Sequence, residues 1–327
     1  MRAAVLGVAV AVGFGLIAAP SAPAAPAVAG AAGCPELIAG SAPLLHPEGV
    51  TYWPERDRFL VGSVTHGTVS VVRPNGSVRT LVEDPTLITT MGLAVDARRD
   101  RLLVVNGDVG ISEHSTPETI RKVAGLGIFD LRTGRRIAYH DLGALVPERE
   151  HFGNDVTIAP DGTAFVTDSF AGAVYRVPVR GAPSVEIRDD RLTPVVRGNG
   201  ANGIVRHPKG FLLIAHSSGR ALYKLAGSDL TQVVIGEPIG APDGLLLDGR
   251  GTLHAIDNTA ANRVITLRST DDWTTAALTA SRAWPEPAPT TMARGRCGIY
   301  VLSGRLDQLP PVGSDEFFLR RLPTTES

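Results

Sequence analysis

The sequence predicts an all-β fold, a six-bladed β-propeller of four-stranded blades whose ring is closed by an N-terminal strand, and three observations predict it. Short bursts of Val, Leu, Ile and Thr alternate with turn residues, 36 Gly and 24 Pro among 327 residues, which is the pattern of many short strands. A strand–turn–strand phrase recurs six times at intervals of about 40 to 50 residues, with one longer step, the length of a four-stranded blade. The last copy runs short of strands, while "CPELIAG" at 34–40 precedes the first copy and can supply one.

Taken in chain order, the first segment reads as an export signal over residues 1–29. Arg2 precedes an apolar run over residues 3–19, and small residues follow, with cleavage expected after Ala24 or Ala29. The run is diluted with Gly and Ala and is shorter than the roughly 20 residues that span a bilayer. A secreted protein follows, with one propeller domain over 34–323 and no membrane span after cleavage. That chain keeps only Cys34 and Cys297, one near each end. In an oxidising compartment they point to one disulfide across the seam of the ring; two buried, unpaired thiols are the other reading. Neither has a second Cys or a close His at zinc-site spacing.

The six phrases then follow. They are "HPEGVTYWPERDRFLVGSVTHGTVSVV" from His46, "TTMGLAVDARRDRLLVVNG" from Thr89, "FGNDVTIAPDGTAFVTDSFAGAVYRV" from Phe152, "GANGIVRHPKGFLLIAHSSGRALYKL" from Gly200, "GAPDGLLLDGRGTLHAIDNTAANRVITL" from Gly240, and "TTMARGRCGIYVLSG" from Thr290. In each, an apolar strand follows a small or turn-forming residue, a polar turn reverses the chain, and a second strand ends in polar residues. The long step holds an insertion near residues 107–127, expected as a loop or short helix in the second blade.

The innermost strand of each propeller blade lines the central channel, so residues at equivalent strand starts converge. They are Glu48, Met91, Asn154, Asn202, Asp243 and Met292. Four carry side-chain oxygens, two of them anionic, a donor set that suits calcium or another hard divalent cation; zinc or copper would call for His or Cys. Turn chemistry is the competing explanation for "PDG" and "NG". However, "PNG" at 74–76 and "PDG" at 160–162 already sit where turns belong, between strands of one blade. Met91 and Met292 leave part of the rim apolar and fit a ligand less polar than a sugar.

Other groups reach the same face from the ends of the second strands: Asn106, Asp168, Ser169, His216, Asp257 and Asn258. His151 precedes Asn154 by three residues. His151 and His216 are the candidate general bases; Phe152, Asn106, Asp257 and Asn258 are candidates for substrate contact. The formal charge is −1 with basic residues scattered along the chain, so the field that holds a phosphate backbone is missing and nucleic acid is not an expected partner. A small molecule is.

The quartet and the phrases "PEGVTYW", "NDVTIAPDGTAFVTDS", "NGIVRHPKG" and "PDGLLLDGRGTLHAIDN" resemble the calcium-dependent six-bladed propellers of the gluconolactonase, senescence-marker-protein and luciferin-regenerating-enzyme-like family; paraoxonase and diisopropyl fluorophosphatase are more distant. The resemblance spans about residues 45 to 305. It implies a divalent ion, usually calcium, held by Glu48, Asn154, Asn202 and Asp243, and hydrolysis of lactones, esters or phosphotriesters. It also implies a role for Asp243 as ion ligand together with water activation or nucleophilic attack. A disulfide joining the termini is similar to that of secreted paraoxonases. One departure is instructive: the arginine that gluconolactonase-like members carry before the first metal asparagine is replaced by Phe152 and Gly153, which disfavours sugar lactones. The alternative reading is a metal-free strictosidine-synthase-like propeller or a non-catalytic secreted binding scaffold.

Overall fold

The computed structural model describes residues 33–259 and 261–323. The expected export signal at 1–29 lies outside the described residues. No helix among the described residues is long and apolar enough to cross a membrane. The structure is all-β apart from short 3-10 turns, with small sheets in a propeller-like arrangement.

Five sheets form among the described residues rather than six separate ones. The first is the antiparallel meander Val50–Trp53, Arg58–Val61, Val69–Val72 and Val78–Val82. The second has eight strands. It is two meanders, Thr89–Asp96 to Arg136–Asp141 and His151–Ile158 to Ser184–Arg188, fused by a short parallel pairing of His151 with Lys122 and Phe152 with Val123. The cause lies in the insertion. Its C-terminal part is strand, Lys122–Asp130, long enough to run past its own meander and reach the next one. Only the loop over 108–121 is added, and it is no helix: the buried Asp108 organises it, accepting from Gly110 N at 2.7 Å, Ser115 Oγ at 2.6 Å and Thr119 Oγ1 at 2.7 Å.

The third sheet runs from Ala201–Arg206 to Asp229–Gln232 and the fourth from Pro242–Leu247 to Thr275–Ala283, with the two-residue strand Val234–Ile235 added at its edge. The fifth joins the two ends of the chain. Leu37–Ser41 pairs antiparallel with Glu316–Arg321, which pairs with Gly298–Ser303 and so with Pro289–Gly295. Cys34 and Cys297 form a disulfide beside this junction, with Cα atoms 5.6 Å apart and 263 residues between them in sequence.

The core lies between neighbouring meanders. The apolar clusters draw residues from neighbouring meanders, such as Val105, Leu126, Val166 and Tyr175 in one, and Ile38, Val50, Phe59, Tyr300 and Phe317 in another. Burying each such side chain contributes roughly 1.5 to 3 kcal/mol. The first strand of each meander touches that of the next, and Pro289–Gly295 touches Val50–Trp53. These first strands therefore surround a common axis.

Candidate active site

Four of the first strands, those of the second to fifth meanders, carry an irregularity at the same place. Pairing with the second strand is interrupted between Thr90 and Leu93, Gly153 and Val156, Ala201 and Ile204, and Pro242 and Leu245. Two residues bulge out in each case: Met91–Gly92, Asn154–Asp155, Asn202–Gly203 and Asp243–Gly244. Bulges re-aim side chains, and here they turn polar groups toward the axis. The glycines make the approach possible. A Cβ on Gly92 would lie 2.4 Å from Asp155 Oδ1, and one on Gly244 would lie 2.2 Å from Thr291 Oγ1.

The axis there holds a cavity of about 10 Å³, lined by Glu48, Asn154, Asp155 and Asn202 with Gly49, Gly92, Gly244 and Thr291 among its walls. That is about the space of one water-sized sphere. Asp243 adjoins it. Its side chain is hydrogen-bonded to Asn202, and its charge acts on Glu48. Burial pushes the Asp243 carboxyl up to about 7, against hydrogen bonds from Asn258 and Asn202 and with help from the charge of Asp155. Burial likewise lifts Asp155 to about 6, although it accepts from the backbone N–H of Ile204 at 3.0 Å and of Val156 at 2.8 Å. Glu48 is raised well above the usual carboxylate range by burial, then by Asp243 and Asp155. Three carboxyls thus crowd one small cavity.

A second layer fixes the ring. Asn154 Nδ2 donates to Ser169 Oγ at 3.0 Å, Asn202 Nδ2 to Ser217 Oγ at 2.8 Å and Asn258 Nδ2 to Asp243 Oδ2 at 2.7 Å. The serines pass the bond on: Ser169 to Ala201 O at 2.6 Å, Ser217 to Pro242 O at 2.7 Å. The two serine bonds end on the neighbouring meander and tie adjacent sectors together, whereas Asn258 and Asp243 belong to one hairpin.

Asp155 was not visible as a site residue in the sequence, because the residue after each central position is otherwise glycine at 49, 92, 203 and 244. The break in that glycine series is the signal that could have found it.

Several expected residues are placed otherwise. Met292 is not the sixth equivalent position. The last irregularity falls between Pro289 and Thr291, so the buried Thr290 occupies it, donating to Glu48 O at 2.7 Å. Met292 lies two residues further on, in a wider cavity of about 340 Å³ with Val50, Tyr52, Val156 and Arg294. The small residues of "PTTMARG" set the phase wrongly, because this bulge is one residue shorter than the others. Met91 is at the ring position, with its side chain in an apolar cluster that includes Val64, Phe152 and Phe170. Phe152 stacks on Phe170 with centroids 5.5 Å apart.

His216 cannot serve as a base in this arrangement. Its Nε2–H donates to Thr193 O at 2.9 Å, and Nδ1 accepts from Gly219 N at 2.9 Å. Asn106 is fully used as a backbone staple, accepting from Ile88 N at 2.8 Å and donating to Thr86 O at 3.0 Å and Tyr139 Oη at 2.9 Å. Asp257 is buried, accepting from Ala241 N at 3.0 Å and paired with Arg263 at 2.7 Å. These three hold loops, not ligands. Asn258 is retained through its bond to Asp243.

His151 is buried, with Nδ1 2.7 Å from Asp168 Oδ2, while Nε2 is buried without a partner. Burial alone would depress its pKa; the hydrogen bond and charge of Asp168 outweigh that and leave it raised. Asp168 Oδ1 also accepts from the backbone of Phe152, Phe170 and Ala171. The pair is therefore anchored in the wall behind Asn154.

Among the described residues no group of three or more His, Cys, Asp or Glu side chains is placed to hold a metal by itself. The donor set at the cavity is mixed, acids with amides. It fits a hard cation on two grounds: buried carboxyls without a cationic partner, and space for one small sphere.

No protein-family model matches the sequence, and no curated protein matches it. Solved structures match in fold. The major allergen Mala s 1 of Malassezia sympodialis superposes with a TM-score of 0.72 at 18% identity, over 89% of this chain and 97% of that one. A gluconolactonase of Xanthomonas campestris gives 0.60 at 18% identity, over 88% and 89%. Regucalcin of Agrobacterium tumefaciens, a calcium-binding protein, gives 0.60 at 18% identity, over 88% and 95%. The last two are propellers of the family that the sequence resembles, and the likeness at this identity is one of fold.

Proposed function

We propose that the chain is a six-bladed propeller closed by its N-terminal strand, and that it is a secreted, calcium-dependent hydrolase of a lactone or ester, with phosphotriesters as a related substrate class. The observation that carries this reading is the convergence of Glu48, Asn154, Asp155 and Asn202 on one cavity that Asp243 adjoins, with all three carboxyls raised and none paired to a cation among the described residues. The disulfide supports export.

Glu48, Asn154, Asn202 and Asp243 would hold the ion, with Asp155 adding charge beneath. A bound calcium supplies Lewis-acid polarisation of the substrate carbonyl and stabilises the oxyanion. The chain's own part is proton handling and orientation. Asp243, fixed by Asn258, takes a proton from the attacking water. The new bond joins the water oxygen to the carbonyl carbon, the acyl carbon–oxygen bond breaks, and the leaving alkoxide takes up the proton from Asp243. His151 is a positioning residue in this scheme, holding the strand that carries Asn154.

The test is a panel of lactones, aryl esters and phosphotriesters assayed with calcium, with chelator, and after calcium is returned. Turnover lost with chelator and restored by calcium is expected. Hydrolysis indifferent to chelator, or absent across the panel, would overturn the reading.

A further inference from the structure

The connection over 304–315 does more than join two strands. It leaves Gly298–Ser303 in the last sheet and returns at Glu316–Arg321, yet Leu306 and Leu309 pack against the apolar cluster that holds Met91, Phe152 and Phe170. Those residues belong to the second and third meanders, while the first strand of the last sheet, Pro289–Gly295, touches Val50–Trp53 and Pro242–Leu247. The same cluster includes Val64, in the connection that follows Arg58–Val61 of the neighbouring first meander, so one apolar cluster links the last sheet to the second and third meanders.

Its two ends are held beside the segment that leads to Glu48. His46, two residues before Glu48, clasps both ends of the connection: its Nδ1–H donates to Arg305 O at 3.1 Å, and its Nε2 accepts from Ser314 N at 3.3 Å. Leu44 N donates to Asp315 Oδ1 at 3.0 Å. A Cβ on Gly304 would meet Pro47 O. The strap is thus pinned beside Glu48, and its two half-buried leucines pack on the apolar cluster that includes Met91.

We propose that this strap is the specificity-determining element of the site: Leu306 and Leu309, packed on the cluster that includes Val64, Met91 and Phe152, form an apolar seat for an alkyl or aryl portion of the ligand, and His46 holds that seat beside Glu48. Ligand hydroxyls placed there would lose water and gain no partner, so a polyol is rejected and a hydrocarbon chain accepted. The inference rests on the proposed small-molecule site and deepens it by naming the substrate class.

The test is equilibrium binding, by calorimetry, of straight-chain alcohols from butanol to dodecanol to the whole protein and to a Leu306→Ser/Leu309→Ser variant, with calcium binding measured separately. In the unaltered protein affinity should rise about fourfold per added methylene until the seat is filled. In the variant the gain should fall below about twofold per methylene, at unchanged calcium affinity. A chain-length-independent affinity in the unaltered protein, or the same slope in a folded variant, overturns the strap's role even where calcium binds. Loss of calcium binding with the slope intact would sink the metal reading and leave the strap standing. Should the double variant not fold, Leu309→Ala is read in the same way.

Discussion

Asn258 donates to Asp243 across 15 positions of sequence, the separation that also joins Asn154 to Ser169 and Asn202 to Ser217. One spacing recurs because one bulge and one hairpin recur, so three sectors present a central group and its supporting partner in the same geometry. Asn258→Ala removes the supporting donor from Asp243 without touching the central oxygens. Calcium affinity measured by calorimetry should fall about 10- to 100-fold, whereas Asn106→Ala, in a staple away from the cavity, should leave it unchanged while lowering the melting temperature.

Asp243→Asn keeps the shape of the side chain and removes its charge and basicity. Hydrolysis of the best substrate from the panel should drop by at least about 100-fold, read as kcat at saturating calcium. A variant that turns over at the unaltered rate would remove Asp243 from the chemistry.

The crowded carboxyls give the calcium-free protein a pH signature. Asp155 and Asp243 are raised from 3.8 to about 6 and about 7, so the stability they contribute as neutral acids is full below about pH 4 and is lost as pH rises through about 6 and then 7. With chelator present, the melting temperature of the unaltered protein should fall relative to an Asp155→Asn variant between about pH 4 and pH 6. Excess calcium should abolish that difference and release protons on binding, seen as a buffer-dependent heat. A constant gap between the two proteins across that range would mean that Asp155 does not titrate there.

Gly244 and Gly92 mark the close approach of neighbouring sectors. Gly244→Ala forces a methyl to within 2.2 Å of Thr291 Oγ1, and unfolding in denaturant should show a loss of about 1 to 3 kcal/mol. Gly249→Ala, where a Cβ meets no atom within 4 Å, is the control and should be close to neutral.

Removing the disulfide with Cys34→Ser and Cys297→Ser should cost about 2 to 5 kcal/mol, because the bridge closes a long loop in the unfolded chain. Chemical denaturation of the paired variant under oxidising conditions measures it.

Much of this was legible in the sequence because a propeller repeats its instructions. The central positions of five units, the polar ends of the second strands and the pairing of Cys34 with Cys297 follow from phase and position. What was not legible arises where the repeat is broken. The shorter bulge at Pro289 to Thr291 moved the sixth position from Met292 to Thr290, a shift that no composition or turn signal records. Asp155 was hidden because it occupies a glycine slot. Asn106, His216 and Asp257 sit at the same chain position as Ser169, Ser217 and Asn258 or one residue before it, so their turn away from the axis toward loop backbone depends on local pairing that a one-dimensional pattern does not encode.

The pairing of Leu37–Ser41 with Glu316–Arg321 bears on how the molecule comes to be made. Synthesis proceeds from the N-terminus, so Leu37–Ser41 must wait, without its neighbour, until residue 321 has left the ribosome. That sheet therefore assembles only after the five intervening meanders have emerged, and a chain truncated before residue 316 lacks the partner that Leu37–Ser41 requires.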